Sequence, residues 1–435
     1  MAATFRSRKR PRRWHDQTTA AASLSFSSSS SYLLPLDLMQ EIAACSDPAT
    51  LLRCAATCRE MRRGVSDPAF RRRLRLRHGD GFVPGLLRGG LLVHKEDNEL
   101  RLVDISASTA GGATTTRLLS AAECFPPGLH DDGEPPPRLC EPVAARDGLV
   151  LVRARAANRP GEDEQLSVCS LATGQSQCLP AGPTFPGQYV LLVGDRDGSA
   201  AVGRLFQVLK ACLVLSDRRR PRLRVQTFSS AHGTWGTDTQ IPAPLVRGKQ
   251  CDSPCEPLVA GDAVHFVFLT DVASYTLKLH VGTHRVTAAR LPARCGAQDC
   301  RCRLLFTQML LATASPGGSL CLLVAGTDEV SAWMQSDRSG RWKKQPHEVI
   351  EKNRFLEFTE MSSPQDGTDE RIRLQWFAER SGIVLVRVTG LGFFLLDLRS
   401  NEIVMWMPSS SSYVTYPYEM DLSSWAQSLD FSKTF

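Results

Sequence analysis

A glycine-containing turn followed directly by a run of apolar residues recurs through most of the chain. The arrangement is found in RDGLVLVRA, GDAVHFVFL, PGGSLCLLVAG and RSGIVLVRV, which begin at residues 146, 261, 316 and 380, and more weakly in RDGSAAVGRLF from residue 196. Each run has the length of one β-strand, and each turn favours a reversal of direction. The sequence therefore predicts a domain built from repeated β-hairpins.

A second pattern closes each unit, and it consists of a turn and a short segment that ends in proline. The segments are TGQSQCLP, HGTWGTDTQIP, VGTHRVTAARLP, SGRWKKQP and SNEIVMWMP. Their prolines are 50 to 62 residues apart and are Pro180, Pro242, Pro292, Pro346 and Pro408. This interval suits a four-stranded propeller blade.

A degenerate copy from Gly90 to Pro126, with HKEDNELRLV as its first hairpin, adds one more unit. We predict a β-propeller-like domain over residues 85–425, with about six divergent blades between residues 85 and 410. A pair of irregular β-sandwiches is the alternative fold. The chain as a whole is predicted to be mainly β, with a small all-α motif at its N-terminal side.

The all-α motif is predicted over residues 32–78. Asp47-Pro48 and Asp67-Pro68 each place an N-cap acceptor before a proline, which is suited to the first position of a helix. Apolar residues also recur at three- and four-residue spacing through this span. So short a unit buries little surface, and we expect it to depend on a partner or on the next domain for stability.

The first 31 residues are predicted to be a disordered tail. The basic run RSRKRPRR at residues 6–13 is followed by a serine-rich tract with few large apolar groups. The basic run is consistent with a nuclear-import signal, with a nucleic-acid contact or with a solubilising tail. These three interpretations stay open.

The net charge of +7 is distributed unevenly along the chain. Residues 1–78 contain 15 basic and 6 acidic residues, whereas the rest of the chain contains 37 basic and 39 acidic residues. The large domain therefore lacks the general basic character of a surface that binds phosphates, and nucleic acid is not an expected partner for it.

The sequence contains no apolar stretch long enough to span a membrane and no signal-peptide core after the basic run. We expect no membrane partner and a location in the nucleus, the cytoplasm or both. Several of the 14 cysteines lie in apolar runs, such as Cys212 and Cys321, where a reduced thiol behaves as a small hydrophobic group. Most of the cysteines are therefore expected to be buried and reduced.

Metal binding and catalysis have little support in the sequence. The candidate metal ligands have spacings that depart from the tight hooks of zinc sites, and they are Cys251, Cys255, Cys295, Cys300 and Cys302. Free thiols are the default interpretation, and no cofactor is expected. The chain also has no nucleophile elbow, metalloprotease helix or phosphate-binding loop, so we do not expect an enzyme.

The span from Leu34 to His78 carries a series of ordered sequence matches. It begins with LPLDLMQEI, continues with a central Leu51-Leu52-Arg53 and a Cys58-Arg59 pair, and closes with DPAF at residues 67–70. In this order and spacing the span resembles the F-box. Two positions depart from the family pattern, because Met61 stands where tryptophan is usual and Ala43 where a longer aliphatic residue is usual.

The chain as a whole resembles a plant family in which a propeller-like domain follows the F-box, and the segment VTYPYEMDLSSW is similar to the ends of such proteins. The resemblance implies a non-catalytic substrate-recognition subunit of a Skp-cullin-F-box (SCF) ubiquitin ligase. Such a subunit docks on a Skp-type adaptor, and through it on cullin and RING subunits, while the propeller holds an unknown substrate protein. The residues expected to bind the adaptor are Leu34, Pro35, Leu38, Met39, Ile42, Leu51, Leu52 and Cys58.

Two other functions stay open at this point. One is a nuclear nucleic-acid-associated protein that uses the basic N-terminus, and the other is a propeller enzyme. We also expect few contacts between the helical motif and the propeller, since propeller blades pack mainly on one another.

Overall fold

The computed structural model describes residues 34–420, with gaps. The gaps longer than five residues are 75–80, 105–113, 126–137, 157–163, 249–255, 293–308, 360–370 and 409–415. The predicted disordered tail therefore lies outside the described residues. No helix in this part of the chain is long and apolar enough to cross a membrane.

The N-terminal helical unit includes three short helices whose bounds the structure describes, α1 (Leu36–Cys45), α2 (Pro48–Thr57) and α3 (Arg59–Ser66). Ala69, Phe70 and Leu74 are also helical. Helix α2 begins at Pro48, as the Asp-Pro signal predicts. A single turn of 3-10 helix, Pro84–Leu86, then leads into the first strand.

The described strands form six antiparallel sheets, each of which is one propeller blade. The first blade contains β1 (Leu87–His94), β2 (Glu99–Asp104) and β3 (Thr114–Leu119). The second contains β4 (Arg138–Arg146), β5 (Leu149–Ala156), β6 (Gln165–Ser170) and β7 (Gln175–Cys178). The third contains β8 (Gln188–Asp197), β9 (Arg204–Ser216), β10 (Arg219–Ser229), β11 (Thr234–Trp235) and β12 (Thr239–Pro242).

The remaining three blades follow in chain order. The fourth contains β13 (Leu258–Ala260), β14 (Ala263–Leu269), β15 (Ser274–His280) and β16 (Arg285–Arg290). The fifth contains β17 (Met309–Thr313), β18 (Leu320–Ala325), β19 (Glu329–Met334) and β20 (His347–Glu351). The sixth contains β21 (Ile372–Ala378), β22 (Ile383–Val388), β23 (Gly392–Asp397) and β24 (Glu402–Met407).

The last strand, β25 (Tyr416–Glu419), pairs antiparallel with β1 and supplies the innermost strand of the first blade. Contacts of β25 with β4 on one side and with β21 on the other join the first blade to its neighbours. A strand from the far end of the propeller domain therefore closes the ring, so the prediction of six blades is confirmed.

The two repeat patterns do not coincide with the beginnings and ends of the blades. The glycine turns lead into the second strand of each blade, as β5, β14 and β22 show. Most closing prolines follow or end the outer strand, but Pro346 immediately precedes β20. The predicted units are therefore displaced by one strand from the blades, although the number of blades is correct.

A short helix, α4 (Lys352–Thr359), interrupts the β domain between the fifth and sixth blades. Phe355 is fully buried and packs edge-on against Phe394 of β23, with 4.9 Å between the ring centroids. The helix thus fills a wedge of space between two blades, which the sequence patterns do not indicate. The helix has only eight residues, so the prediction of a mainly β chain is confirmed.

Strand direction divides the propeller into two faces. Because successive strands are antiparallel, the turns between first and second strands all lie on one side. We call this side the lower face, and its turns include residues 147–148, 261–262 and 379–382. The hairpins between second and third strands lie on the opposite side, the upper face, and include residues 270–273, 326–328 and 389–391.

Candidate adaptor-binding site

The helical unit has a compact apolar core. The fully or nearly fully buried members of this core are Ala43, Ala44, Leu51, Ala55, Met61, Val65, Phe70, Leu74 and Leu86. Helix α3 is capped by Cys58, whose Sγ accepts a hydrogen bond from the backbone N–H of Met61 at 3.3 Å. This bond satisfies one of the free N–H groups at the start of the helix.

Three large apolar side chains remain outside this core, on helix α1 and the residues that lead into it. Leu34, Leu38 and Ile42 are 52%, 48% and 53% exposed. Their spacing of four residues places them along one side of the helix. Pro35 is also exposed, and its carbonyl accepts a hydrogen bond from Met39 N–H. We call Leu34, Pro35, Leu38 and Ile42 the α1 stripe.

The other predicted adaptor-binding residues have different positions. Leu51 is fully buried in the helical core, and Met39 is partly buried against it. Cys58 is half-buried and caps α3, while Leu52 belongs to α2 and its side chain lies outside the described residues. The structure therefore brings the α1 residues together at the surface and places Leu51 in the core. Their binding to an adaptor stays a prediction.

The two departures from the F-box pattern are both core positions. Met61 is 4% exposed and Ala43 is fully buried. Both residues belong to the helical core, where a methionine is flexible enough to fill an irregular space. These residues therefore change the packing beneath the α1 stripe and not the stripe itself.

The helical unit is joined closely to the propeller, contrary to the expectation of few contacts. Leu86 belongs to the helical core, and its carbonyl accepts a hydrogen bond from Met420 N–H at 2.8 Å. Met420 directly follows the ring-closing strand β25 and packs against both the helical core and the core between the first two blades. The reason is that so small a helical unit buries more apolar surface by sharing its core.

The connecting segment also reaches the sixth blade. Val83 N–H donates to the carbonyl of Arg380 at 2.8 Å, and the ring of Phe82 packs edge-on against Phe377 at 6.1 Å between centroids. The first contact lies in the turn between β21 and β22, and the second lies near the end of β21 that leads into this turn, on the lower face. The α1 stripe is thus carried by a unit that is fixed to the lower face.

Charged side chains meet in the central channel near that face. The channel contains a cavity of about 80 Å³, lined by residues of β4, β8, β21 and β25 and by the approach to β13. Arg380 Nε lies 2.5 Å from Asp147 Oδ1, and Arg146 forms an ion pair with Glu379. These pairs join the second blade to the sixth across the ring.

Two further carboxylates bind the ring-closing strand to other blades. Glu419 of β25 accepts hydrogen bonds from the backbone N–H groups of Arg380 and Ser381, at 3.1 Å and 2.6 Å. Tyr416, at the other end of β25, forms a side-chain hydrogen bond with Glu256. Burial raises the pKa of Glu256 to about 7. Burial likewise raises the pKa of Glu419 above its usual range, against the lowering effect of these hydrogen bonds.

Sequence reasoning did not identify this channel network. A signal was present, because Arg146-Asp147-Gly148 and Arg380-Ser381-Gly382 are the same turn in two blades. Equivalent turns lie on one face of a propeller, so charged residues in them approach one another near the axis.

The candidate metal ligands Cys251, Cys255, Cys295, Cys300 and Cys302 lie outside the described residues. Among the residues that are described, no group of three or more histidine, cysteine or acidic side chains could hold a metal ion. Among the cysteines whose burial the structure describes, Cys124, Cys140, Cys169 and Cys321 are buried free thiols. Cys54, Cys58, Cys178 and Cys212 are free but only partly buried, so the expectation of burial is wrong for Cys212.

The helical unit and the six blades define an F-box-like domain followed by a β-propeller. Residues 32–77 match the F-box-like family. Residues 135–431, which are more than half of the chain, match a family described as a domain of unknown function, DUF7595, and the chain belongs to this family. No curated protein matches the chain.

Several solved propeller structures are distantly similar in shape. TolB from Acinetobacter baumannii has a TM-score of 0.36 and 12% identity over 76% of this chain, and the chain spans 64% of the length of TolB. The Dos1 propeller has a TM-score of 0.35 and 13% identity, covering 75% of this chain and 69% of its own. These scores are too low to carry an argument, so the fold assignment depends on strand pairing.

Proposed function

We propose that this protein is a non-catalytic substrate-recognition subunit of an SCF ubiquitin ligase. In this role the helical unit docks on a Skp-type adaptor, the adaptor connects it to cullin and RING subunits, and the propeller holds a protein substrate. The observation that carries the proposal is the α1 stripe, since it leaves large apolar side chains half-exposed in a region that matches the F-box-like family.

Covering the α1 stripe would supply binding energy. Full burial of a leucine or isoleucine side chain stabilises by about 1.5–3 kcal/mol. Leu34, Leu38 and Ile42 are each about half exposed, so burial of the remaining surface by a partner would supply roughly half of this free energy per residue. Apolar anchors of this kind account for much of the energy of an interface once water is excluded. A partner with an apolar groove therefore fits this side of α1.

The junction with the propeller supports the same role. A recognition subunit accelerates a transfer reaction by holding its substrate in a favourable position, which requires a defined orientation between its two ends. The hydrogen bonds from Val83 to Arg380 and from Met420 to Leu86 fix the helical unit to the lower face. A substrate held elsewhere on the propeller would then keep a constant position relative to the adaptor.

Co-purification of the full chain with a Skp-type adaptor tests this function. We expect L38D/I42D to lose adaptor binding by at least about a hundredfold, because the change buries unpaired carboxylates in the interface. The matched control is V272D/V404D, which places the same charges on two exposed apolar residues of the propeller that are 62% and 52% exposed. The control variant should bind as the parent does.

Circular dichroism and a thermal transition should show that both variants are folded. Undiminished adaptor binding by a folded L38D/I42D variant would contradict the proposed docking side. Equal loss in the V272D/V404D control would show that the effect is not specific to α1.

A further inference from the structure

The hairpin of β9 and β10 extends beyond the third blade. These strands have 13 and 11 residues, whereas the second and third strands of the other blades have six to eight. Strand β8 pairs with β9 only as far as Ala211, and β12 pairs with β10 only from Arg222 onwards. Residues 212–216 of β9 therefore extend beyond β8, and residues 219–221 of β10 extend beyond the paired part of β12, whereas residues 222–224 still pair with β12. We call residues 212–216 and 219–224 the β9–β10 ribbon.

The β9–β10 ribbon lies on the upper face. It belongs to the hairpin between a second and a third strand, and such hairpins lie on the side opposite the turns between first and second strands. The helical unit is attached at one of those turns, through Val83 and Arg380. The ribbon and the adaptor-binding unit are thus on opposite faces of the propeller.

Two arginines of the ribbon are free to bind. Arg220 and Arg222 of β10 are both exposed, and a register shift in the pairing with β9 lies between Arg219 and Arg222. Within the part of the chain that the structure describes, neither is paired with a carboxylate. Arg222 lies directly opposite Val214, an apolar residue that is 39% exposed. The surface thus combines two exposed guanidinium groups with one exposed valine.

A third arginine shows how this side of the strand holds a carboxylate. Arg224 Nε and Nη2 donate to both oxygens of Asp238 at 2.6–3.1 Å, and its guanidinium stacks on the ring of Phe185 at 4.4 Å. Such planar, two-pronged pairing is the preferred way for arginine to bind a carboxylate. Arg222 lies two residues before Arg224 on the same side of β10, and Arg220 follows beyond the register shift; neither has a partner of this kind among the described residues.

We propose that the β9–β10 ribbon binds an acidic segment of the substrate protein, with carboxylates on Arg220 and Arg222 and an apolar side chain on Val214. This inference rests on the proposed function, since it places the substrate on the face opposite the adaptor. A long nucleic acid fits less well. It would track many phosphates, whereas residues 79–435 carry 37 basic and 39 acidic residues and the ribbon also presents an apolar residue.

Fluorescence anisotropy with the purified full chain tests the proposal. The probe is a labelled nine-residue peptide of alternating glutamate and leucine, compared with the same peptide carrying glutamine for glutamate and with a nine-nucleotide single-stranded DNA. We expect saturable binding of the glutamate peptide only. R220E/R222E should weaken it at least about tenfold, since each charge-assisted pair is lost and replaced by repulsion.

The matched control is R285E/R290E, which reverses two exposed arginines on β16 of the fourth blade. This variant should bind the glutamate peptide as the parent does. Equal binding of the two peptides, no saturable binding of either, tighter binding of the DNA, or equal loss in the control would each overturn the proposal. Adaptor co-purification is measured in parallel. Peptide binding without adaptor binding would reject the proposed function and leave the ribbon assignment standing.

Discussion

The aromatic ring of Phe82 lies directly on the α-carbon of Gly382. A Cβ atom at Gly382 would lie 2.5 Å from two carbons of that ring, and the residue has a φ of +72°. A side chain at this position would therefore meet both an unfavourable backbone conformation and a steric clash. Phe82, which lies in the segment between the helical unit and the propeller, therefore requires glycine at position 382 in the turn of the sixth blade.

This relationship predicts the effect of Gly382→Ala. We expect the variant to lose more than about 2 kcal/mol in its free energy of unfolding, because backbone strain and the displacement of Phe82 both contribute. Gly174→Ala is the matched control, since Gly174 has a φ of +68° and open space where its Cβ would lie. It should lose only about 1 kcal/mol. Urea denaturation measures both, and equal losses would contradict the Phe82 contact.

Truncation of Leu51 and truncation of Leu38 should affect stability to different extents. Leu51→Ala opens a cavity in the helical core and should cost about 2–5 kcal/mol in the stability of that unit. Leu38→Ala removes a half-exposed side chain and should change stability by less than about 0.5 kcal/mol. Amide hydrogen exchange of α1 to α3 distinguishes the two. A large loss of protection in Leu38→Ala would show that the α1 stripe is structural.

The raised pKa of Glu256 predicts that the stability of the fold depends on pH. Its folded-state pKa of about 7 lies above the ordinary value of a glutamate, so the protonated form is favoured in the fold. The stability that this preference contributes is complete below pH 4.5 and is lost as the pH rises through about 7. Glu256→Gln should therefore have a higher Tm than the parent at pH 8 and a flatter Tm profile between pH 5 and pH 8.

The control for this experiment is Glu348→Gln, since Glu348 is exposed on β20. It should keep the pH profile of the parent. A parent profile that is flat, or one that is unchanged by Glu256→Gln, would contradict the assignment.

Lys210 forms a buried ion pair with Glu164, and the two partners can be replaced one after the other. Its Nζ lies 3.2 Å from Glu164 and 4.6 Å from the ring centre of Tyr189, and its side chain is 5% exposed. Burial lowers the pKa of Lys210, and this effect outweighs the attraction of Glu164. Glu164→Gln leaves a buried ammonium without a carboxylate and should destabilise the fold by about 3 kcal/mol.

The double variant E164Q/K210M should recover most of that loss, because an apolar side chain of similar length replaces the stranded charge. Guanidinium denaturation of the single and double variants measures the difference. A double variant as unstable as Glu164→Gln alone would show that the stranded charge is not the cause of the loss.

The blades were predictable because each second strand, such as β5 or β22, repeats the same local chemistry of turn and apolar run. Strand β25 was not, since four residues that include Pro417 have no strong preference of their own. Its pairing with β1 depends on the geometry of the whole ring. The sequence also could not predict which side of α1 is exposed, because the helical spacing of apolar residues does not show which of them other parts of the protein cover.

Ring closure by β25 also has a consequence for the order of events during synthesis. Leu91 pairs with Tyr416, so the first blade waits for more than 300 residues of chain before its innermost strand exists. Met420, which completes the helical core, is made last of all these residues. Until β25 has been synthesised, the edge of β1 stays open to pairing with other strands.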